Sequence, residues 1–257
     1  MTDHVRVTVA DNVMRLTLAR PEKKNALTSA MYIALGEALT RAESDPQVRA
    51  VLLEAEGDAF TAGNDLSDFA AVASGAMARD EMKAHVFLTA LARGQKPYVA
   101  AVQGLAVGVG VTLLMHCDLV FVAEDAKLST PFVNLAVVPE AASSWLLPAR
   151  IGHARAYAMF ALGEPIDGRT AAAIGLANLA LPAAEVRAKA LAAAKTLATK
   201  PIGALQATKK LMRDAAAITA VMARESEIFG ARLQTAEAAE AFRAFAEKRA
   251  PDFTKVS

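Results

Sequence analysis

The chain of 257 residues has a single cysteine, few aromatic residues and almost no excess of charge. Because one cysteine, Cys117, cannot form an internal disulfide, we expect a reducing compartment and a cytoplasmic location. His116 and Asp118 flank Cys117 as in some nucleophile sites, but a buried small residue is the favoured interpretation. The 28 basic and 27 acidic residues leave a net charge of only +1. This balance gives no electrostatic argument for a nucleic-acid partner or an anionic membrane surface, so we expect neither.

Signals for secretion, membrane insertion and metal binding are also missing. The first ten residues alternate apolar and polar side chains, whereas a secretory signal places a basic segment before an apolar one. The longest apolar run, Tyr98 to Val122, contains Gln103, His116 and Asp118, and its glycines would weaken a spanning helix. The four histidines show no HExxH-type ligand spacing. We therefore expect no secretory signal, no membrane contact and no metal.

The apolar pattern alternates between strand and helix periods in the first half of the chain. Val5 to Val9 and Val13 to Leu18 alternate with period two around a two-residue turn, which predicts a hairpin. Strand-like apolar runs at Val48 to Glu54 and Tyr98 to Val102 are separated by a predicted helix near Arg79 to Arg93. This alternation predicts an α/β fold with buried strands.

The second half of the chain has a different texture. Helical patterns dominate after Pro148, and from Ala183 onwards the chain is predicted to be almost wholly helical. No linker rich in glycine, serine or proline separates the two parts, so we predict one core over residues 1–195 and a helical region over residues 196–257. Apolar side chains at helical spacing in this region must be covered by the core or by another subunit. They are Leu205, Leu211, Met212, Val221, Ile228, Phe229, Phe242 and Phe245.

Two glycine-containing loops have a sequence suited to binding an anion. The first spans Phe60 to Phe69, and the second carries Gly104, Gly108 and Gly110 before a helical pattern that ends near His116. Glycine allows close approach of a ligand, and the first N–H groups of a helix can hold an oxyanion. Plain turns before a buried helix explain the same glycines. The P-loop and dinucleotide-binding patterns do not fit, because the Gly-Lys-Ser/Thr sequence and the required glycine spacing are missing.

Glu140 is a carboxylate in an otherwise apolar segment between Leu135 and Ser144. Burial among apolar neighbours favours the neutral form, which raises the pKa of a carboxyl towards the range of a general base. The alternative interpretation is an acidic residue at the beginning of a helix over residues 141–149, where acids are favoured. Spacing alone supports both interpretations equally.

Four segments together resemble the crotonase superfamily, also called the enoyl-CoA hydratase/isomerase family. They are RPEKKNAL (20–27), FTAGNDLSDF (60–69), KPYVAAVQGLAVGVGVTLLMHCD (96–118) and TPFVNLAVVPEAASSWLLPARIG (130–152). The resemblance implies a spiral of ββα repeats and a C-terminal region that mediates trimerisation, in a homotrimer or hexamer. It also implies an acyl-CoA thioester substrate, whose CoA is part of the substrate, and no separate cofactor.

The same resemblance implies roles for particular residues. The backbone N–H groups of Asn64 and Val109 would bind the thioester oxygen, and Glu140 would be the catalytic base. The CoA moiety would lie against Lys24, Ala26, Ala62, Gly63, Asp65, Leu66 and Gly108. Candidates for the lining of the acyl channel are Asp68, Phe69, Met82 and Phe87.

Two departures from the family pattern bear on the reaction. Typical hydratases carry two glutamates, but Thr112 and Phe132 stand at those positions here, and this pair cannot both activate water and deliver a proton. The motifs are more similar to peroxisomal-type Δ3,Δ2-enoyl-CoA isomerases, in which one glutamate, here Glu140, is the single base. We therefore expect an enzyme that converts a 3-enoyl-CoA into a 2-trans-enoyl-CoA. The alternatives are an enoyl-CoA hydratase of fatty-acid β-oxidation and a non-catalytic acyl-CoA-binding homologue.

Overall fold

A computed structural model describes residues 2–65 and 83–256 of the chain. Its first element is a hairpin in which β1 (Val5–Ala10) pairs antiparallel with β2 (Val13–Leu18). The two turn residues, Asp11 and Asn12, have φ angles of 51° and 59°. Such a turn, with positive φ at both central residues, matches the twist of hairpin strands. The predicted hairpin is therefore confirmed.

The strands of the described residues form two sheets. After the hairpin they are β3 (Ala50–Ala55), β4 (Tyr98–Val102), β5 (Leu105–Val107), β6 (Leu119–Ala123), β7 (Lys127–Ser129), β8 (Ile166–Asp167) and β9 (Leu179–Leu181). The larger sheet has the order β1-β2-β3-β4-β6-β9 and is parallel from β2 onwards. The smaller sheet has the order β5-β7-β8. Because β4-β5 and β6-β7 each supply one strand to each sheet, the chain winds as a spiral between them.

Helices cover these sheets and form the second half of the chain. They are α1 (Ser29–Ser44), α2 (Ala84–Arg93), α3 (Val109–Thr112), α4 (Ser143–Ile151), α5 (His153–Leu162), α6 (Gly168–Ala173), α7 (Ala183–Ala198), α8 (Ile202–Met212), α9 (Ala215–Leu233) and α10 (Ala236–Ala246). α7 packs against β3, β4 and β6, while α1 packs against α2. Every residue of β3 and β4 is buried, so their near-continuous apolar sequences need no polar alternation. The predicted α/β class is confirmed.

Several element boundaries differ from those expected from the sequence. β3 begins at Ala50 instead of Val48, because Val48 N–H closes a turn onto Asp45 O at 3.1 Å. The helix expected over 79–93 begins at Ala84 within the described residues, and 79–82 lie outside them. Strand β5 lies inside the segment that was interpreted as a glycine-containing loop. Because β5 has only three residues, its sequence shows too little periodicity to predict a strand. The segment before His116 is α3 followed by a 3-10 helix, Leu113–His116.

The C-terminal helices are partly packed and partly exposed. Leu233 and Phe242 are buried, whereas Leu211 and Met212 on α8 are 89% and 82% exposed. Helix α7 runs across the boundary expected at residue 195, and the division into a core and an oligomerisation region stays a prediction. Within residues 2–65 and 83–256, no helix is both long enough and apolar enough to cross a membrane.

One buried side chain joins the loop after the hairpin to the loop after β3. Asn25 is 0% exposed, and its Oδ1 accepts a hydrogen bond from Arg20 N–H at 2.8 Å. Its Nδ2 donates to Glu56 O and Ala59 O, both at 2.8 Å, while its backbone oxygen accepts from the Thr61 hydroxyl at 2.7 Å. Asn25 therefore fixes the two segments that approach each other at the candidate site.

Replacing Asn25 with alanine should destabilise the fold by about 3 kcal/mol, because three buried backbone groups lose a hydrogen-bond partner. Urea unfolding followed by circular dichroism measures this loss. Asn12→Ala is the matched control, since Asn12 also has positive φ (59°, against 55° for Asn25) but is exposed and makes one side-chain hydrogen bond. Equal losses in the two variants would show that backbone strain, not the buried hydrogen bonds, dominates.

Candidate active site

The two glycine-containing segments predicted to bind an anion lie side by side. Thr61 forms a parallel bridge with Ala106, and Val107 N–H donates to Thr61 O at 3.1 Å. Gly63 has φ of 92°, and a Cβ added there would lie 2.8 Å from Val107 O. A side chain at this position would therefore collide with backbone. Glycine at 63 permits the close approach of these two segments.

The two backbone N–H groups expected to bind an oxyanion have no hydrogen-bond acceptor among the described residues. They belong to Asn64 and to Val109, the first residue of α3. By contrast, Gly108 N–H donates to Ser129 O at 2.9 Å and Asp65 N–H donates to Leu27 O at 2.9 Å. An unpaired N–H at a partly enclosed position is costly unless a ligand or water accepts from it. These two groups have the chemistry needed to bind an oxyanion.

Gly108 gives the second segment its conformation. Its φ and ψ of 54° and −114° lie in a region that residues with a side chain rarely adopt. A Cβ added at Gly108 would meet nothing within 4 Å. Glycine is thus required at position 108 by backbone conformation. At position 110 the constraint is space, because a Cβ added at Gly110 would lie 2.6 Å from Thr61 Cγ2.

Most residues expected to contact CoA lie together in the structure. Lys24 O accepts from Ala62 N–H at 2.8 Å, and Gly63 O accepts from Leu27 N–H at 2.8 Å, so residues 24–27 run beside residues 62–65. Lys24 is exposed, and its Nζ lies 2.6 Å from Asp58 Oδ2. Leu66 lies outside the described residues, as do Asp68, Phe69 and Met82.

Side-chain contacts further order this region. Asp65 Oδ2 accepts from Arg20 Nη1 at 2.7 Å, and the same arginine nitrogen donates to Ala26 O at 3.0 Å. The Tyr32 hydroxyl donates to Asn64 Oδ1 in a short hydrogen bond. Phe87, expected in the acyl channel, is buried and packs with Tyr32 at a ring-centroid distance of 6.2 Å. Phe87 is not among the described residues that line the cavity between α2 and α9, so the structure gives no support for its expected place in an acyl channel.

Glu140 lies in the irregular segment before α4, outside the helix that was the alternative explanation for it. Glu140 is half-buried and borders the cavity between α2 and α9. Thr112 Oγ1 donates to Glu140 Oε1 at 2.5 Å. Loss of hydration raises the pKa of Glu140 to about 7, the Thr112 hydroxyl opposes that rise, and the negative charge of Glu225 adds to it. Such a carboxyl exchanges protons readily near neutral pH.

Two consecutive alanines with positive φ shape the segment after Glu140. Ala141 and Ala142 have φ of 60° and 58°, a conformation that costs a non-glycine residue free energy. Ala141 O lies 2.8 Å from His116 Nε2. Burial lowers the pKa of His116 to about 3, with a further contribution from the positive charge of Arg213. His116 is therefore neutral: its Nδ1 accepts from Arg213 Nη2, which leaves Nε2–H to donate to Ala141 O.

Glu140 and Asn64 border one cavity of about 810 Å³. Helices α2 and α9 form its long walls. The described residues that line it are Asn64, Ala84, His85, Leu88, Thr89, Arg93, Glu140, Ala141, Thr219, Met222, Ala223, Ser226, Phe229 and Leu233. Glu140 is the single carboxylate among them. A cavity of this volume lies within the range typical of small-molecule sites, and the Glu140 carboxyl borders it.

Sequence reasoning missed three contributors to this site. Tyr32 contacts Asn64, Thr112 donates to Glu140, and Glu225 accepts backbone hydrogen bonds beside Glu140. Thr112 was noted as a departure from the family pattern but was given no role. Glu225 alone carried a usable signal, because it lies at helical spacing between Met222 and Phe229 on the apolar stripe of α9. Tyr32 reads as an ordinary residue of an amphipathic helix.

The interpretation of Cys117 as a buried structural residue agrees with the geometry. Its thiol is buried, and burial raises the pKa of Cys117 to about 12, with a further contribution from Asp118. A thiol of this kind stays protonated and is a poor nucleophile.

Sequence comparison connects the chain to one family of proteins. The family model described as Enoyl-CoA hydratase/isomerase matches residues 8–256. A probable enoyl-CoA hydratase of Rhodobacter capsulatus is 35% identical over 254 residues, which cover 97% of each chain. Enoyl-CoA delta isomerase 2 of Rattus norvegicus is 36% identical over 213 residues, which cover 81% of this chain and 54% of that protein. Relatives with both kinds of name are thus similar to this chain.

Comparison of structures gives the same result for the fold. The crystal structure of enoyl-CoA hydratase/isomerase from Pseudoalteromonas atlantica matches with a TM-score of 0.91 at 40% sequence identity. The match covers 98% of this chain and 100% of that chain. The expected spiral α/β fold is confirmed.

The raised pKa of Glu140 predicts a pH-dependent cost to stability. Below pH 4.5, its ordinary pKa, the Glu140 carboxyl is protonated in both the folded and the unfolded chain. Between pH 4.5 and 7 it ionises in the unfolded chain but stays largely protonated in the folded one, so the folded state loses stability as the pH rises. Glu140→Gln should therefore be more stable than the wild type at pH 8, by about 1–3 kcal/mol, and nearly equal to it at pH 4. Thermal unfolding at the two pH values measures the difference.

Glu240→Gln provides a control of opposite sign. Hydrogen bonds from Arg249, Asp252 N–H and Arg243 lower the pKa of Glu240, so its ionised form stabilises the fold at neutral pH. Glu240→Gln should lose stability at pH 8 under the same conditions. A Glu140→Gln variant that is less stable than the wild type at pH 8 would contradict the raised pKa.

Proposed function

We propose that this chain, which belongs to the enoyl-CoA hydratase/isomerase family, moves the double bond of a 3-enoyl-CoA to give a 2-trans-enoyl-CoA. The observation that carries the proposal is the single carboxylate, Glu140, among the described residues of the cavity. Thr112 stands where typical hydratases carry a glutamate, and it donates a hydrogen bond to Glu140. The site thus offers one carboxylate that can take up and return a proton.

The proposed reaction begins when the Glu140 carboxylate removes a proton from C2. The electron pair of the broken C–H bond forms a C1–C2 double bond, and the thioester oxygen becomes the anion of a dienolate. The N–H groups of Asn64 and Val109 donate to this oxygen, and each such donor is worth about 3 kcal/mol of barrier. The oxygen then re-forms the C1 carbonyl, the electron pair of the C1–C2 double bond moves to C2–C3, and that of the C3–C4 double bond takes the proton from Glu140 at C4. The carboxylate is thereby regenerated.

The electrostatics of Glu140 suit both halves of this cycle. A carboxyl with a pKa of about 7 is sufficiently ionised to act as a base near neutral pH, and its conjugate acid is strong enough to return the proton. Thr112 holds one carboxylate oxygen at 2.5 Å, which leaves the other oxygen for the substrate carbon. Fixing the carboxylate in this way reduces the rotational freedom that would otherwise slow the transfer.

We place the CoA moiety against the paired segments 24–27 and 62–66, together with Gly108. The residues proposed to contact it are Lys24, Ala26, Ala62, Gly63, Asp65, Leu66 and Gly108. Lys24 supplies an exposed ammonium group beside this surface, and polar backbone groups of both segments are close by. The acyl group would then enter the cavity between α2 and α9. CoA is part of the substrate in this scheme, and no further cofactor is proposed.

Glu140→Gln should retain acyl-CoA binding and lose isomerisation of 3-hexenoyl-CoA by about 10⁴-fold or more, because glutamine cannot accept the C2 proton. Isomerisation is followed by the absorbance of the conjugated product, and binding by calorimetry with hexanoyl-CoA. Glu164→Gln, at an exposed carboxylate, is the control and should behave as the wild type. Turnover near the wild-type level in Glu140→Gln would remove Glu140 from the catalytic role.

Hydration is the second candidate, because similar proteins such as that of Rhodobacter capsulatus are named probable enoyl-CoA hydratases. Crotonyl-CoA hydration and 3-hexenoyl-CoA isomerisation, assayed on one preparation, separate the two reactions. We expect the isomerase kcat/KM to exceed the hydratase value. A larger hydratase value would reverse the assignment, and binding without turnover of either substrate would favour the non-catalytic homologue.

We also propose that the C-terminal region mediates self-association into a trimer or hexamer. The support is the exposure of Leu211 and Met212 on α8, because adjacent large apolar side chains on a protein surface are usually buried against a partner. Leu211→Glu should lower the mass measured by sedimentation velocity. Leu162→Glu is the control, because Leu162 is also exposed, at 60%, but lies on α5 of the core. An unchanged mass in Leu211→Glu would argue against this interface.

A further inference from the structure

Glu225 is a buried carboxylate on the helix that forms one wall of the cavity. It is 5% exposed and lies on the apolar stripe of α9, between Met222 and Phe229. Burial raises its pKa, while hydrogen bonds from Ser144 and from the backbone at Ala142 oppose the rise. A buried carboxylate is costly unless its oxygens are satisfied, so the partners of Glu225 indicate why it is tolerated.

Both oxygens of Glu225 hold the segment that carries Glu140. Oε2 accepts from Ala142 N–H at 2.6 Å, and Oε1 accepts from Ser144 N–H at 2.9 Å. These N–H groups lie at the N-terminus of α4, whose own first residues supply no side-chain cap. A carboxylate at a helix N-terminus satisfies free N–H groups and interacts favourably with the helix dipole. Glu225 thus caps α4 from another helix.

This cap fixes the backbone immediately after Glu140. Ala141 and Ala142 both have positive φ, which neither residue favours on its own. The hydrogen bond from Ala142 N–H to Glu225 and that from His116 to Ala141 O hold this conformation from opposite sides. Glu225 does not line the cavity among the described residues, so its effect on a substrate must pass through this segment.

We propose that Glu225 is a positioning residue that, through its hydrogen bonds to Ala142 N–H and Ser144 N–H, holds residues 140–142 so that the Glu140 carboxylate faces the acyl cavity, and that its negative charge acts on Glu140 from behind this segment. This inference rests on the proposed function of Glu140 as the base. The same buried group would thereby control both the direction and the strength of that base.

The electrostatic half of the inference depends on the charges around Glu140. Glu225 is the charged group whose field raises the pKa of Glu140, adding to the effect of burial. Behind the segment, His116 is neutral and Arg213 is bound to it. The remaining charged or titratable groups of the packed elements are His85 and Arg93 on α2, Arg150 on α4, and Arg224, Glu227 and Arg232 on α9. Removing the charge of Glu225 should therefore lower the pKa of Glu140.

Glu225→Gln tests the charge, and Glu225→Asp tests the position. Glutamine keeps one acceptor and removes the negative charge, so the acidic limb of the pH–kcat/KM profile should move to lower pH. Aspartate keeps the charge on a shorter side chain, so the limb should stay closer to that of the wild type while kcat falls. Misplacement of a reacting group by about 1 Å can cost up to ~100-fold in kcat, which is the expected upper limit for both variants.

Glu240→Gln is the matched control. Glu240 is equally buried, at 4% exposed, and also accepts a backbone N–H, that of Asp252. Its other partners are Arg243 and Arg249, so it does not hold the segment that carries Glu140. Its loss should lower thermal stability without moving the acidic limb. The Glu225→Gln comparison is repeated in a His85→Gln background, because the His85 imidazole also lines the cavity.

A direct titration separates this inference from the proposed reaction. Carbon-13 NMR of glutamate-labelled protein, with Glu140→Gln used to assign the signal, reports the pKa of Glu140 without any substrate. A lower Glu140 pKa in Glu225→Gln supports the inference even if the natural reaction proves to be hydration. Unchanged kcat together with an unchanged Glu140 titration would overturn it. Should Glu225→Gln fail to fold, wild-type kcat in Glu225→Asp would overturn the positioning role.

Discussion

The candidate site depends on one carboxylate that the fold keeps away from bulk water. Loss of hydration and the negative charge of Glu225 both disfavour the ionised form of Glu140, and the hydrogen bond from Thr112 only partly offsets them. An anion in that condition accepts a proton readily. Exclusion of water also strengthens the attraction between an enolate oxygen and the N–H groups of Asn64 and Val109. The free energy that ionised Glu140 costs the folded state is therefore the same free energy that makes its carboxylate more basic.

The fold brings these groups together by winding the chain between two sheets. Because β4 and β5 are consecutive but belong to different sheets, the chain turns sharply between them and presents Gly108 and Val109 next to the segment after β3. Gly63 allows backbone to pass close to Val107 O, and Asn25 fixes the neighbouring loop from inside. Rigid strands thus place two N–H donors on loops that have no acceptor of their own within the described residues. This is the arrangement expected of a preorganised oxyanion site.

The parts of this arrangement that were predictable from sequence are the local ones. Period-two alternation predicted the hairpin, and glycines beside apolar runs predicted the loops that carry Asn64 and Val109. The partners of these residues were not predictable, because they come from elements far away in the chain. Tyr32 reaches Asn64 across a helix-to-loop contact, and β5 has too few residues to show a period. Glu225 is the clearest example. Its position on an apolar stripe is visible in the sequence, but only the packed structure shows which N–H groups donate hydrogen bonds to it.

The contribution of α9 also bears on the type of reaction. A 1,3-proton shift uses one group first as a base and then as an acid, and it needs that group to reach two carbons of a bound chain without leaving its place. α9 supplies both requirements, since it forms a wall of the acyl cavity and, through Glu225, holds the backbone that carries Glu140. Hydration would instead need a second proton-transfer group beside a water. At the position of one such group, Thr112 is occupied in orienting Glu140. In the proposed reaction, the contact that orients Glu140 to act alone therefore occupies the position at which a second carboxylate would be needed for hydration.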